Sequence, residues 1–141
     1  MSLIRYTRNH EWIEVEGEIG TVGITERWLA ERGEVVYVEL PEIGDEYEKE
    51  EPIALVESMD GTEYHVLAPV TGEVVEVNEE LEDDVDLINR SPEGDGWLFK
   101  VRIEMRRELK SLMNLDEYED FEEEEDYENF EITDLGEEEL L

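Results

Sequence analysis

Ala54-Leu-Val-Glu-Ser-Met-Asp-Gly-Thr-Glu-Tyr-His-Val-Leu-Ala-Pro-Val-Thr-Gly72 is the stretch around which the chain is organised. It reads as two short apolar or β-branched runs, Pro52 to Val56 and His65 to Val70, facing each other across a tip. Asp60-Gly61 stands at that tip. This dipeptide is a strong hairpin signal, because a type I′ turn needs positive φ at both central residues. Glu57, Ser58 and Met59 lead into the turn, and Thr62, Glu63 and Tyr64 lead out. Glu57 to Thr62 are therefore expected to form an exposed, firmly held presentation loop.

Working outward, the flanking segments also read as strands. Glu11 to Val15 alternates charged and apolar residues, the pattern of a half-buried strand. Ile19 to Ile24 is a strand with small residues, as expected where another group passes close to the backbone. Glu34 to Leu40 is a strand closed by Pro41, and Gly72 to Asn78 alternates cleanly. Trp97 to Ile103 reads as the last strand. One helix interrupts them: Thr25 caps Glu26–Arg32, with acid in the first turn and base in the last, and Gly33 ends it. Leu81 to Asn89 reads as one or two irregular helical turns.

After Ile103 the apolar period lengthens to helical spacing at Leu109, Leu112 and Met113, and Asn114 can cap a second short helix over Leu115–Phe121. These seven or eight short strands, with turns every few residues, predict a mainly β fold. Its expected form is a β-sandwich or flattened barrel with a short internal helix and C-terminal helices. The expected organisation is one domain over residues 1–122, followed by an acidic, mobile tail over 123–141.

Composition narrows the function. The chain has 141 residues and a net charge of −33, from 44 acids against 11 bases. That field repels nucleic-acid phosphates and anionic membranes, so neither is an expected partner. No apolar run reaches the length of a membrane span, and no charged-then-apolar leader opens the sequence. A cytoplasmic location is the expectation. With no cysteine, thiolate metal sites and disulfides are excluded. No base follows Lys110; Tyr127, Phe130, Ile132 and Leu135 interleave the acidic run, giving a partner something apolar to order.

No catalytic residues can be assigned. The two histidines, His10 and His65, are far apart and show no metal-ligand spacing. A His10-Glu11 pair could hold zinc, but a histidine before a strand-starting tryptophan is expected to be a packed residue. Ser58 has no base near it in sequence, and the glycines form no phosphate loop. Trp12, Trp28 and Trp97 fall one per element, as packing residues do. No metal site is expected. A weaker alternative is that Asp60, Glu63 and His65 bind a cation at a rebuilt hairpin tip.

Several segments together resemble the H-protein family of the glycine cleavage system, within the lipoyl and biotinyl carrier superfamily. They are His10-Glu-Trp12, Thr21-Val-Gly-Ile-Thr25, Gly33-Glu-Val-Val-Tyr-Val-Glu-Leu-Pro41, Val56-Glu-Ser58 and Ala68-Pro-Val-Thr-Gly-Glu-Val-Val-Glu-Val-Asn78. Leu87-Ile-Asn89, Gly96-Trp-Leu98 and Leu109-Lys-Ser-Leu-Met-Asn-Leu-Asp-Glu-Tyr118 complete the set. The resemblance spans residues 4 to 122. It implies the carrier-type sandwich, a non-catalytic role in glycine catabolism, and a hairpin-tip lysine carrying lipoate. The lipoyl arm of that family passes an aminomethyl group among the glycine cleavage enzymes.

The sequence departs from the family at that tip. Counting forward from Val56-Glu-Ser58, the lysine position falls on Asp60; counting back from Ala68-Pro69, it falls on Gly61. Asp60 cannot form the lipoyl amide and Gly61 has no side chain. Lys49, Lys100 and Lys110 are the only lysines, with Lys49 and Lys100 expected along strands. The resulting expectation is a lysine-lacking, non-lipoylated binding or accessory module with no cofactor. Its expected partners are glycine cleavage components or lipoate-handling enzymes. The alternative is a genuine aminomethyl carrier modified at an unexpected lysine.

Overall fold

The structure, a computed structural model, describes residues 2–126. Nine strands form two antiparallel sheets. They are β1 (Leu3–Tyr6), β2 (Glu11–Glu16), β3 (Ile19–Ile24), β4 (Val35–Glu39), β5 (Glu46–Tyr47), β6 (Pro52–Ser58), β7 (Glu63–Leu67), β8 (Gly72–Val77) and β9 (Phe99–Ile103). The larger sheet runs β1-β2-β3-β9-β8-β5 and the smaller β4-β6-β7. Helix α1 (Glu26–Arg32) joins β3 to β4, the single turns α2 (Glu80–Asp83) and α3 (Leu87–Arg90) cross from β8 towards β9, and α4 occupies 115–126. The sandwich with an internal helix and C-terminal helical segments is the predicted fold.

The alternating residues of β2, β3, β8 and β9 meet those of β6 and β7 in one core, including Ile13, Val22, Ile24, Val56, Val66, Val74 and Phe99. Strand β2 is buried on both faces. Ile13 and Val15 join the main core, whereas Trp12 packs with Tyr6 and Tyr118 of α4 in a second cluster. Gly23 lies opposite Trp12, and a Cβ there would meet the indole ring at 2.7 Å. The small residues of β3 thus make room for side chains from β2.

Helix α1 follows its local code. Thr25 Oγ1 accepts from the Trp28 amide, and Gly33, at φ 91°, donates its N–H to the Leu29 carbonyl. Asn114 caps α4 in a reciprocal box: its Oδ1 accepts from the Glu117 amide while Glu117 Oε1 accepts from the Asn114 amide, each at 2.9 Å.

Three local expectations are corrected. The segment with Leu109 and Leu112 is a 3-10 helix over Arg106–Ser111, and Met113 leaves it to bridge Tyr6, because paired hydrogen bonds to that edge strand replace another helical turn. The second hairpin arm is Glu63–Leu67 rather than His65 to Val70, since β6 continues to Ser58 and its cross-strand register fixes the partner. Helix α4 runs past Phe121 to 126. The expected acidic tail, with Tyr127, Phe130, Ile132 and Leu135, lies outside the described residues from 127 onward. No helix among the described residues is long and apolar enough to cross a membrane.

Candidate functional site

The β6–β7 hairpin presents the tip that the sequence singled out, but with a different turn. Gly61 N–H donates to the Ser58 carbonyl at 2.9 Å, and Ser58 N–H donates to the Thr62 carbonyl at 2.9 Å. Only Gly61 has positive φ, at 88°. This is a three-residue loop, Met59-Asp60-Gly61, with a bulge at the glycine, not the expected two-residue type I′ turn. The physical reason is register. Glu57 pairs with Glu63, which leaves one residue too many for a two-residue loop.

The tip is closed on itself. Asp60 Oδ1 accepts from Ser58 Oγ at 2.5 Å and from the Thr62 amide at 2.9 Å. These bonds, the Ser58 hydroxyl first, hold the Asp60 carboxyl below its ordinary range. Ser58 is buried, while Met59, Asp60, Gly61 and Thr62 are exposed and Glu57 is half-buried. The Met59 amide donates to the Glu34 carbonyl at 2.8 Å, which ties the loop to the entry of β4. Asp60 therefore acts as the turn's own brace. Asp60, Glu63 and His65 do not converge: among the described residues, the group of three metal-capable side chains lies elsewhere, at His10, Glu31 and Glu125.

The lysines are distributed away from this tip. Lys100 lies in β9, 5.2 Å above the Trp97 ring. Lys110 is exposed in the 3-10 helix. Lys49 is a correction. It sits in a turn, not along a strand, with Glu51 N–H donating to the Glu48 carbonyl at 3.0 Å. The next residue, Glu50, is held at φ 74° because its amide donates to the Ala68 carbonyl at 2.7 Å. Lys49 Nζ donates to Ser111 Oγ and lines a cleft of about 370 Å³ with Tyr6, Thr7, Glu11 and Leu67.

Behind that cleft is a polar node that sequence reasoning did not assemble. Glu11 is buried at the end of the core, yet accepts from Thr7 Oγ1 (2.6 Å), Asn9 Nδ2 (2.6 Å) and the Leu67 amide (2.8 Å). The last bond joins the two sheets. Burial pushes the Glu11 carboxyl up, against these hydrogen bonds. His10 is also buried, at φ 68°, and its Nδ1 lies 2.6 Å from Tyr118 Oη. Tyr118 in turn lies 2.9 Å from Thr25 Oγ1, which donates to the His10 carbonyl at 3.0 Å. Burial raises the Tyr118 phenol and lowers the His10 imidazole, the latter opposed by Glu31 and Glu125. Both partners lie in segments that carry the resemblance, His10-Glu-Trp12 and the one ending in Tyr118, but they are 108 residues apart and nothing in the sequence joins them.

The other segments behind the resemblance have structural work. Asn89 holds the start of β4 like a neighbouring strand: its Oδ1 accepts from the Val35 amide (2.8 Å) and its Nδ2 donates to the Val35 carbonyl (2.9 Å). Asn78 Nδ2 donates to the Asp95 and Trp97 carbonyls, pinning the loop before β9.

Comparison with known proteins agrees with this architecture. A family model described as "Glycine cleavage H-protein" matches residues 4–125. The chain is 45% identical over 121 residues to the glycine cleavage system H protein of Thermotoga maritima, covering 86% of this chain and 97% of that one. It is 44% identical over 115 residues to the H protein of Halothermothrix orenii, covering 82% and 89%. A crystal structure of a glycine cleavage system H protein from Mycobacterium marinum is similar at a TM-score of 0.73 and 35% identity, over 82% of this chain and 92% of that one.

Proposed function

The chain belongs to the glycine cleavage H-protein family, and from that premise we propose that it is a non-lipoylated member: a binding or accessory module that keeps the carrier scaffold and lacks the covalent shuttle. H proteins of the glycine cleavage system are lipoyl carriers, not catalysts. The finer reading is carried by one observation, the side chain of Asp60. It stands at the lipoyl-lysine position counted forward from Val56-Glu-Ser58, as Gly61 does counted back from Ala68-Pro69; it offers no amine and is bonded back to Ser58 and Thr62. A lipoyl carrier needs a primary amine at an exposed, firm turn so that a modifying enzyme can reach it and the arm can swing between sites. The turn is exposed and firm, and the amine is missing.

The partners proposed are glycine cleavage components or lipoate-handling enzymes, recognised through the sandwich surface around the hairpin. Mixing the full chain with each of these enzymes tests this. A complex at micromolar concentration that is unaffected by Asp60→Ala is the expected result; no complex with any of them would remove the reading. Asp60→Lys adds a second arm. Restoring an amine at this exposed turn is expected to create a substrate for lipoate ligase, whereas failure to be modified would mean that the loop is no longer recognised as a carrier tip.

A second reading, a genuine aminomethyl carrier modified at an unexpected lysine, is favoured by the position of Lys49. This residue occupies a tight turn, the kind of local geometry a modifying enzyme uses. The half-buried stem and the bond to Ser111 weigh against it. Replacing Lys49, Lys100 and Lys110 by arginine one at a time, and following lipoylation of each variant, separates the two readings.

A further inference from the structure

We propose that His10, Glu31 and Glu125 form a binding site for one divalent transition-metal ion of the Zn²⁺ class, which clasps α4 to α1 and to the start of β2. Thr25 Oγ1 can donate to the His10 carbonyl at 3.0 Å, which also accepts the Thr25 amide at 3.0 Å. With the Thr25 proton on that carbonyl, Tyr118 Oη, 2.9 Å from Thr25 Oγ1, donates to the threonine oxygen. The phenol oxygen is left to accept, and His10 Nδ1, 2.6 Å away, carries the proton that it receives. In that arrangement the neutral ring is the Nδ1–H tautomer, with a bare lone pair on Nε2.

That lone pair faces two carboxylates. Nε2 is 3.1 Å from Glu125 Oε1 and 3.6 Å from Glu31 Oε2. Three acceptors this close repel one another; the Arg27 guanidinium offsets part of this from one side, with Nε 2.7 Å from Glu31 Oε2 and Nη2 3.9 Å from Glu125 Oε1, and a proton on Nε2 or a cation would offset the rest. A proton would align on one of the oxygens. The Glu125 approach at 3.1 Å is close enough for such a bond, but among the described residues neither His10 Nε2 nor Glu125 Oε1 makes a well-directed one, although the histidine is only 1% exposed. Donors that share a metal point at a common centre and not at each other.

The distances agree with a cation. Ligand bonds of about 2.0–2.1 Å in a tetrahedral zinc site give ligand-to-ligand edges of about 3.3 Å. The two edges to His10 bracket that value, and all three donor atoms lie within 4.8 Å of one another. The Tyr118 bond at Nδ1 is the kind of outer contact that fixes ring orientation in metal-bound histidines. One imidazole with two carboxylates suits Zn²⁺ and its neighbours better than oxygen-seeking Ca²⁺ or Mg²⁺.

The surrounding charges permit a cation. Arg27 Nε donates to Glu31 Oε2 at 2.7 Å, but a carboxylate oxygen has two lone pairs and can also serve a metal. The Arg27 guanidinium is shared with Asp126 at 2.7 Å, and Arg32 Nη1 stands 3.8 Å from Glu31 Oε1 while its guanidinium lies over Trp28. The proposal requires no lipoyl group and stands whether or not the hairpin reading holds.

The test uses the full chain, titrated with Zn²⁺ by calorimetry and with Co²⁺ by visible absorption, beside Glu31→Gln, Glu125→Gln and His10→Asn. Asp84→Asn, which alters a surface carboxylate paired with Arg90, serves as the control for diffuse binding to an acidic protein. The expected result is one tight Zn²⁺ equivalent and the ligand-field bands of four-coordinate Co²⁺. Loss of either glutamate should weaken Zn²⁺ binding by at least about tenfold, while Asp84→Asn leaves it unchanged. Zn²⁺ should also raise the melting temperature of the parent and not of Glu125→Gln. Many weak equivalents, equal in all variants, would overturn the site. So would a ¹⁵N spectrum showing His10 Nε2 protonated with Zn²⁺ present. If His10→Asn fails to fold, the partly exposed glutamates carry the test alone.

Discussion

The hairpin tip at Ser58–Thr62 and the buried node around His10, Glu11 and Tyr118 satisfy their polar groups in opposite ways. At the tip, every bond to Asp60 comes from residues two positions away, and the side chain that forms them is exposed. At the node, the partners arrive from the β1–β2 loop, the start of α1, β7 and α4, and the central groups are buried. A locally closed turn can change its side chain without disturbing the sandwich. A node assembled from four elements cannot. The sandwich can therefore persist whichever residue stands at the tip, because the two are physically uncoupled.

The strongest way to break this comparison is at the node. Glu11→Ala strips the Leu67 amide, Thr7 and Asn9 of their shared acceptor inside the core. It is expected to lower unfolding stability by about 3 kcal/mol, as orphaned buried donors do. Urea unfolding measures it; a loss under about 1 kcal/mol would mean that the inter-sheet bond contributes little. Tyr118→Phe is smaller, because the ring keeps its stack on Tyr6 at 4.5 Å and only the hydroxyl bridge is lost. A loss of about 1–2 kcal/mol is expected, with α4 amides exchanging faster than those of the β-sheets.

At the tip the expected effects nearly vanish. Asp60→Ala should leave the melting midpoint of the whole chain unchanged and speed exchange only at Thr62 and its neighbours. The pH dependence has a definite sign. The folded Asp60 carboxyl lies below its ordinary value of 3.8, so its bracing is fully present above that pH. It is lost as the pH falls through the depressed value and the carboxyl is protonated. Thr62 amide protection should be flat around neutrality and fall only in strong acid; a fall near pH 6 would assign the bracing to another group.

What could be read in the sequence divides along the same line. Thr25, Gly33 and Asn114 act on residues three or four positions away, so both helix starts and the α1 stop were legible. The alternation in β2 and β8 marked strands of the larger sheet, and the two-residue β5 was too short to leave a period. Asp60-Gly61 located the turn but not its type, since loop length depends on which residues pair across β6 and β7. Lys49 was misplaced for a similar reason. Nothing in Glu48-Lys-Glu-Glu51 demands a turn, and the positive φ of Glu50 is imposed by Ala68 from the neighbouring chain segment. The contacts of the node were illegible, because His10 meets Tyr118 and Glu125 only after the whole sandwich has closed.

The measurement that bears most directly on the account is the intact mass of the chain, purified from its own host or co-expressed with lipoate ligase in the presence of lipoate. The account predicts the bare 16.6 kDa polypeptide, beside an Asp60→Lys variant that gains one lipoyl group. A parent chain heavier by one lipoyl group would contradict it and direct attention to Lys49.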